Sequence, residues 1–156
     1  MERETLITAM KSSISEVMET MFFLPVEFPN LEELQSSDKA DQIIVSKLNF
    51  SGSFSGYFIL SVPGKLALSL TSDFIGEDEN NISGEQKSET MKEILNMLAG
   101  GAFTHYDDSA LFNLDIPETV NFGKAETDDS GLEEKIIVII QTPDDCLSLA
   151  MYKQPG

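Results

Sequence analysis

Two stretches of this chain read as pairs of extended segments joined by a turn, and they bound what it can fold into. From Asp41 to Phe50 and from Phe54 to Val62 the residues are rich in β-branched and aromatic side chains, and Ser51, Gly52 and Ser53 between them suit a hairpin turn. Near the end, Glu134 to Gln141 and Cys146 to Tyr152 flank Thr142-Pro143-Asp144-Asp145 in the same way. Such a chain is expected to set its hairpins in an antiparallel sheet and to cover an apolar face of that sheet.

Helical segments supply the cover. Leu6, Met10, Ile14, Val17 and Met21 recur at steps of three and four, which predicts a helix with one apolar stripe ending before Pro25. Pro63 and Gly64 open a second helix carrying Leu66, Leu70 and Phe74, with Pro63 near its first position, and Gly76 closes it. After the acidic loop Glu77 to Asn81, Ser83 precedes Gln86 at the spacing of a capping box, which predicts a third helix from Gly84 to about Phe103. Glu118 to Ala125 reads as a strand and Glu126 to Glu134 as an acidic turn. The order helix, strands, helices, strands predicts an α+β fold, a largely antiparallel β-sheet with helices packed on one face. With 156 residues, 41% of them hydrophobic, a single domain over 1–156 is expected.

Charge narrows the partners. Twenty-seven acidic against ten basic residues give a net charge of −17, which repels a phosphate backbone and disfavours both nucleic acid and an anionic membrane. The longest apolar runs, such as Ile136 to Ile140, fall far short of the ~20 residues of a membrane span, and the charged start Glu2-Arg3-Glu4 is unlike a signal peptide. The single cysteine, Cys146, lies beside Leu147 and Leu149, where it reads as a small buried hydrophobe without a disulfide partner, as suits a reducing cytoplasm.

The third helix is the most informative segment. Its turn of about 100° per residue gathers Met91, Ile94, Leu95, Leu98 and Ala102 into a core stripe and sets Glu89, Glu93, Asn96 and Gly100 on the opposite side. Glu93 and Asn96 are neighbours there and can touch one small target. Glycine inside a helix costs about 1 kcal/mol relative to alanine, so Gly100-Gly101 marks either the helix end or a close approach to its backbone. A solvated polar face with a glycine cap explains the same residues.

Other chemistries find no support. His105 is the only histidine, which excludes histidine-rich metal sites, and no Gly-x-Ser-x-Gly, Gly-x-x-x-x-Gly-Lys or Gly-x-Gly-x-x-Gly occurs. The acidic clusters Glu77-Asp78-Glu79 and Asp128-Asp129 lack the alternation of a calcium loop and read as solvated turns. Ser15 to Met21 aligns with Lys92 to Leu98, which either a duplicated half or amphipathic patterning explains.

The run Glu93-Ile94-Leu95-Asn96-Met97-Leu98-Ala99-Gly100-Gly101 resembles the signature helix of the CheX/CheC chemotaxis phosphatases. Its surroundings are similar as well: the glycine-containing strand Gly56 to Leu60, a Pro-started helix ending at Gly76, and an acidic loop lead into it. The resemblance runs from about Phe54 to Pro117. In the family an Asp or Ser stands four residues before the glutamate, where this chain has Glu89, and the family's later proline is matched by Pro117 at a slightly shorter spacing.

The resemblance implies a phosphatase acting on the phospho-aspartate of a CheY-like response regulator in chemotaxis or related signalling. Asn96 and Glu93 would be its catalytic residues, Asn96 orienting the attacking water and Glu93 pairing with the receiver's lysine, with Glu89 and Gly100 as partner contacts. It implies no metal or organic cofactor held by this chain, the Mg2+ being the receiver's. CheC-like members carry two such helices and CheX-like members one active copy. Here the first helix has Glu16 but Glu19 where an asparagine would stand, so one site is expected. The resemblance also implies a homodimer through sheet-edge strands, with Cys146 to Tyr152 at an edge. A non-enzymatic docking module of the flagellar-switch type shares the fold, and the joint presence of Glu93 and Asn96 argues against it.

Overall fold

Alternation along the strands decides which side of the sheet faces the core. In the computed structural model, which describes residues 2–29, 42–106, 112–120 and 134–154, the chain forms α1 (Glu2–Met21), β1 (Ile43–Ser51), β2 (Ser55–Pro63), α2 (Gly64–Ile75), a short 3-10 turn (Glu79–Asn81), α3 (Gly84–Tyr106), β3 (Asn113–Leu114), β4 (Glu118–Val120), β5 (Glu134–Gln141) and β6 (Cys146–Gln154). Leu48 and Phe50 of β1, Phe58, Leu60 and Val62 of β2, Ile136, Val138 and Ile140 of β5, and Leu147, Leu149 and Met151 of β6 all point to the helices and are buried with them. The period-two pattern therefore sets the core face.

The sheet is antiparallel throughout, in the order β3-β1-β2-β6-β5, with β4 also beside β1. It bears out the α+β expectation and both hairpins. The strand expected over Glu118 to Ala125 is present as β4 up to Val120; its remainder and the acidic turn with Asp128-Asp129 lie outside the described residues. On the face away from the helices Val45, Ile59, Ala150 and Tyr152 form a smaller buried cluster, and Tyr57 stacks on Tyr152 with ring centroids 4.9 Å apart.

Several expectations are corrected. The run Cys146 to Tyr152 is not at an edge: β6 lies between β2 and β5. Burial on both faces explains why, since Leu147, Leu149 and Met151 face the helices while Ala150 and Tyr152 are buried on the other side. The edge belongs to β5, whose Lys135 and Ile137 are exposed. Cys146 is half-buried rather than buried, because it starts β6 at the hairpin mouth. Met21 leaves the core stripe and is 45% exposed at the last position of α1, where Met18 and Phe22 are buried instead. The expected ends of α2 are present: Pro63, the last residue of β2, stands at its N-cap beside the first helical position, and Gly76 closes it in the left-handed conformation with φ 71°.

Candidate functional site

The third helix is fixed at its start by the expected reciprocal cap. The Gln86 backbone N–H donates to Ser83 Oγ at 3.1 Å, and the Ser83 N–H donates to Gln86 Oε1 at 2.8 Å. From there α3 runs unbroken through Gly100 and Gly101 to Tyr106, so the glycines do not end it. Met91, Ile94, Leu95, Leu98 and Ala102 are all buried, as their spacing requires. Glu89, Glu93 and Asn96 are exposed and Gly100 is half-buried, so the four residues singled out from the sequence share the outward face.

The two glycines serve different ends. A Cβ on Gly101 would collide with Ser13 Oγ of α1, so this glycine lets the two helices approach closely. A Cβ on Gly100 would meet only Leu114 Cδ1, at an ordinary 3.9 Å. Packing within the chain therefore explains Gly101 and leaves Gly100 as a bare step on the exposed face. Its carbonyl accepts from Thr104 Oγ1 at 3.0 Å.

Along that face the charges are unequally engaged. Glu89 pairs with Lys92 at 2.6 Å, one helical turn on. Glu93 and Asn96 have no ion pair or side-chain hydrogen bond among the described residues, so the carboxylate and amide are both available to a partner. An open groove of about 330 Å3 adjoins them, walled by Phe74 and Ile75 at the end of α2 and by Glu85, Glu89, Thr90 and Glu93 of α3. The groove forms between elements that local periodicity treats separately. Spacing continues the Leu66–Leu70 stripe to Phe74 and so points it to the core, whereas it is 37% exposed at the end of α2; no local pattern announces the groove.

The first helix offers no second constellation of this kind. Glu16 and Glu19 are exposed, and Glu16 Oε1 lies 3.8 Å from His105 Nε2 of α3. Asp78 caps the short 3-10 turn by accepting from the Asn80 N–H at 3.1 Å, which makes the acidic loop a turn. Among the described residues no three His, Cys, Asp or Glu side chains gather to hold a metal ion. No helix among them is long and apolar enough to cross a membrane.

Fold and face together define an α+β domain whose long central helix presents an unpaired Glu-x-x-Asn step to solvent. The model of the family described as chemotaxis phosphatase CheX matches residues 44–141, and the chain belongs to this family. Solved structures agree on the fold. The chemotaxis protein CheX from Vibrio vulnificus has 20% identity and a TM-score of 0.74, with 96% of each chain covered. A CheC-like superfamily protein from Shewanella sp. PV-4 has 21% identity and a TM-score of 0.71, covering 97% of this chain and 98% of that one. The CheX-CheY-BeF3-Mg2+ complex from Borrelia burgdorferi has 18% identity and a TM-score of 0.69, with 99% of each chain covered. No curated protein sequence matches the chain.

Proposed function

We propose that this protein hydrolyses the phospho-aspartate of a CheY-like response regulator, with Asn96 and Glu93 as its catalytic residues. The observation that carries the reading is the pairing of an unengaged carboxylate and an unengaged amide on the exposed face of α3. Membership of the CheX family supports it, and the B. burgdorferi complex supports a CheY-like receiver as partner.

Hydrolysis of an acyl phosphate needs an in-line water: a bond forms between the water oxygen and phosphorus, and the bond from phosphorus to the aspartyl oxygen breaks. The products are the free carboxylate and inorganic phosphate released as H2PO4−, which carries both of the water's protons. The receiver's own Mg2+ and lysine stabilise the phosphoryl oxygens. This chain supplies order. The Asn96 amide oxygen accepts from the water while its NH2 donates to a phosphoryl oxygen, and the group does not titrate. Glu93 pairs with the receiver's lysine and sets Asn96 over the phosphate. Glu89 and Gly100 extend the contact along the same face, and Gly100 admits the receiver closely because it carries no side chain. Positioning of this kind supplies part of the roughly 7–11 kcal/mol available from orientation at best.

In this reading the chain holds no metal or organic cofactor of its own and works in the cytoplasm. A homodimer would form at the edge strand β5 rather than at β6; sedimentation that finds only monomer would remove it.

The test is loss of phosphate from magnesium-bound phospho-receivers of the same organism. Asn96→Ala should bind the receiver and lower turnover about 100-fold or more. Glu93→Ala should weaken the complex as well as slow it. Wild-type binding without accelerated hydrolysis would favour the docking module instead.

A further inference from the structure

Phe23 is the one non-glycine residue among those described with positive φ, at 51°. It follows α1 with the left-handed φ that at helix ends usually falls to glycine, and the Leu24 N–H reaches back six residues to the Met18 carbonyl at 3.0 Å, one residue further than the closing bond of a Schellman turn. An aromatic residue is strained in this conformation, and Phe23 does not recover the strain by burial, since it is 87% exposed. Its neighbour Phe22 packs on Phe74 with ring centroids 6.5 Å apart, which brings the end of α1 beside the groove described above. Phe74 and Ile75 in that groove are each 37% exposed, although Leu66 and Leu70 of the same helix are buried. The charged residues of the lining are Glu85, Glu89 and Glu93, all acidic. Glu93 is both a wall of the groove and the proposed anchor, so a partner seated over Glu93 and Asn96 extends across it.

We propose that the groove between the end of α2 and the start of α3, together with exposed Phe23 one residue on from the Phe22 that packs against its Phe74 wall, is a second contact for the receiver and seats an apolar side chain that the receiver presents beside a lysine or arginine. The apolar wall fits the side chain, and the carboxylates fit the neighbouring cation. The proposal rests on the phosphatase reading for the identity of the partner. It separates two roles on one surface: Asn96 acts on the reacting water, whereas the groove contributes affinity and selects among receivers.

The experiment measures binding of CheY-like receivers from the same organism, loaded with magnesium and activated with beryllofluoride, alongside turnover of the phosphorylated forms. Ile75→Ser and Glu85→Lys should each raise Kd and KM about tenfold while leaving kcat at saturating receiver unchanged, the reverse of Asn96→Ala. Phe23→Gly should weaken binding several-fold although it relieves the turn and does not lower Tm, which a purely structural role for Phe23 would not produce. Wild-type Kd in both Ile75→Ser and Glu85→Lys would overturn the proposal, as would failure of every receiver to bind the wild-type protein. Weakened binding in these variants, together with no phosphatase activity in the wild type, would retain the groove and remove the phosphatase reading.

Discussion

Ser13 Oγ occupies the space that a Cβ on Gly101 would need, while it donates to the Leu98 carbonyl at 2.8 Å. One hydroxyl thus joins α1 to α3 and requires the glycine opposite it. Ser13 is fully buried, so swinging the hydroxyl aside would leave it without its acceptor.

Gly101→Ala should therefore destabilise the fold by about 1–3 kcal/mol despite alanine's better helix propensity. Gly100→Ala, whose Cβ would make only an ordinary contact with Leu114, should be neutral or stabilising by up to about 1 kcal/mol. Urea denaturation of the two variants checks the contrast. Adding Ser13→Ala to Gly101→Ala should restore part of the loss, so the pair should be non-additive.

Gly56 in β2 meets a harder limit. A Cβ there would overlap the Tyr152 carbonyl oxygen and stand 3.1 Å from Lys153 Cα, both backbone atoms of β6. Because no side-chain rotation relieves this contact, Gly56→Ala should cost about 3 kcal/mol or more, or shift the β2–β6 register. Loss of the cooperative thermal transition would show it.

The cap of α3 supports the site from a distance. Ser83→Ala removes the acceptor for the Gln86 N–H and should lower stability by about 1 kcal/mol. Because the residue lies far back from Asn96 along the helix, kcat for a phospho-receiver should change less than twofold. A loss comparable to that of Asn96→Ala would mean that fraying at the helix start reaches the site.

Burial pushes the Cys146 thiol above its ordinary pKa. The thiolate is the reactive form, so Cys146 should react with Ellman's reagent more slowly in the native protein at pH 8 than after unfolding in urea. The linked stability has a definite sign: it is fully present below the unfolded pKa and is lost as pH rises through the raised native value.

Much of this was legible in the chain itself. Steps of three and four placed Met91, Ile94, Leu95, Leu98 and Ala102 inside, and the same arithmetic placed Glu89, Glu93 and Asn96 outside. Ser83 and Gln86 announced the start of α3 because a capping box is satisfied by residues three apart. Local turns and periodicities are properties of neighbouring residues, so the hairpins β1–β2 and β5–β6 were readable too.

What the sequence determined by itself was the three helices and the four long strands, most of their inward faces and the outward Glu-x-x-Asn step. Contacts between residues distant in the chain were decided only by tertiary structure. Insertion of β6 between β2 and β5 made an interior strand of one that had looked like an edge, because it buries side chains on both faces. Apposition of Ser13 with Gly101 separated two adjacent glycines into a packing residue and a bare step on the surface. The contact of Phe22 with Phe74 brought the end of α1 to a groove that no local pattern announces. The physical reason is the same in each case: spacing fixes direction along one element, while a neighbouring element decides what that direction meets.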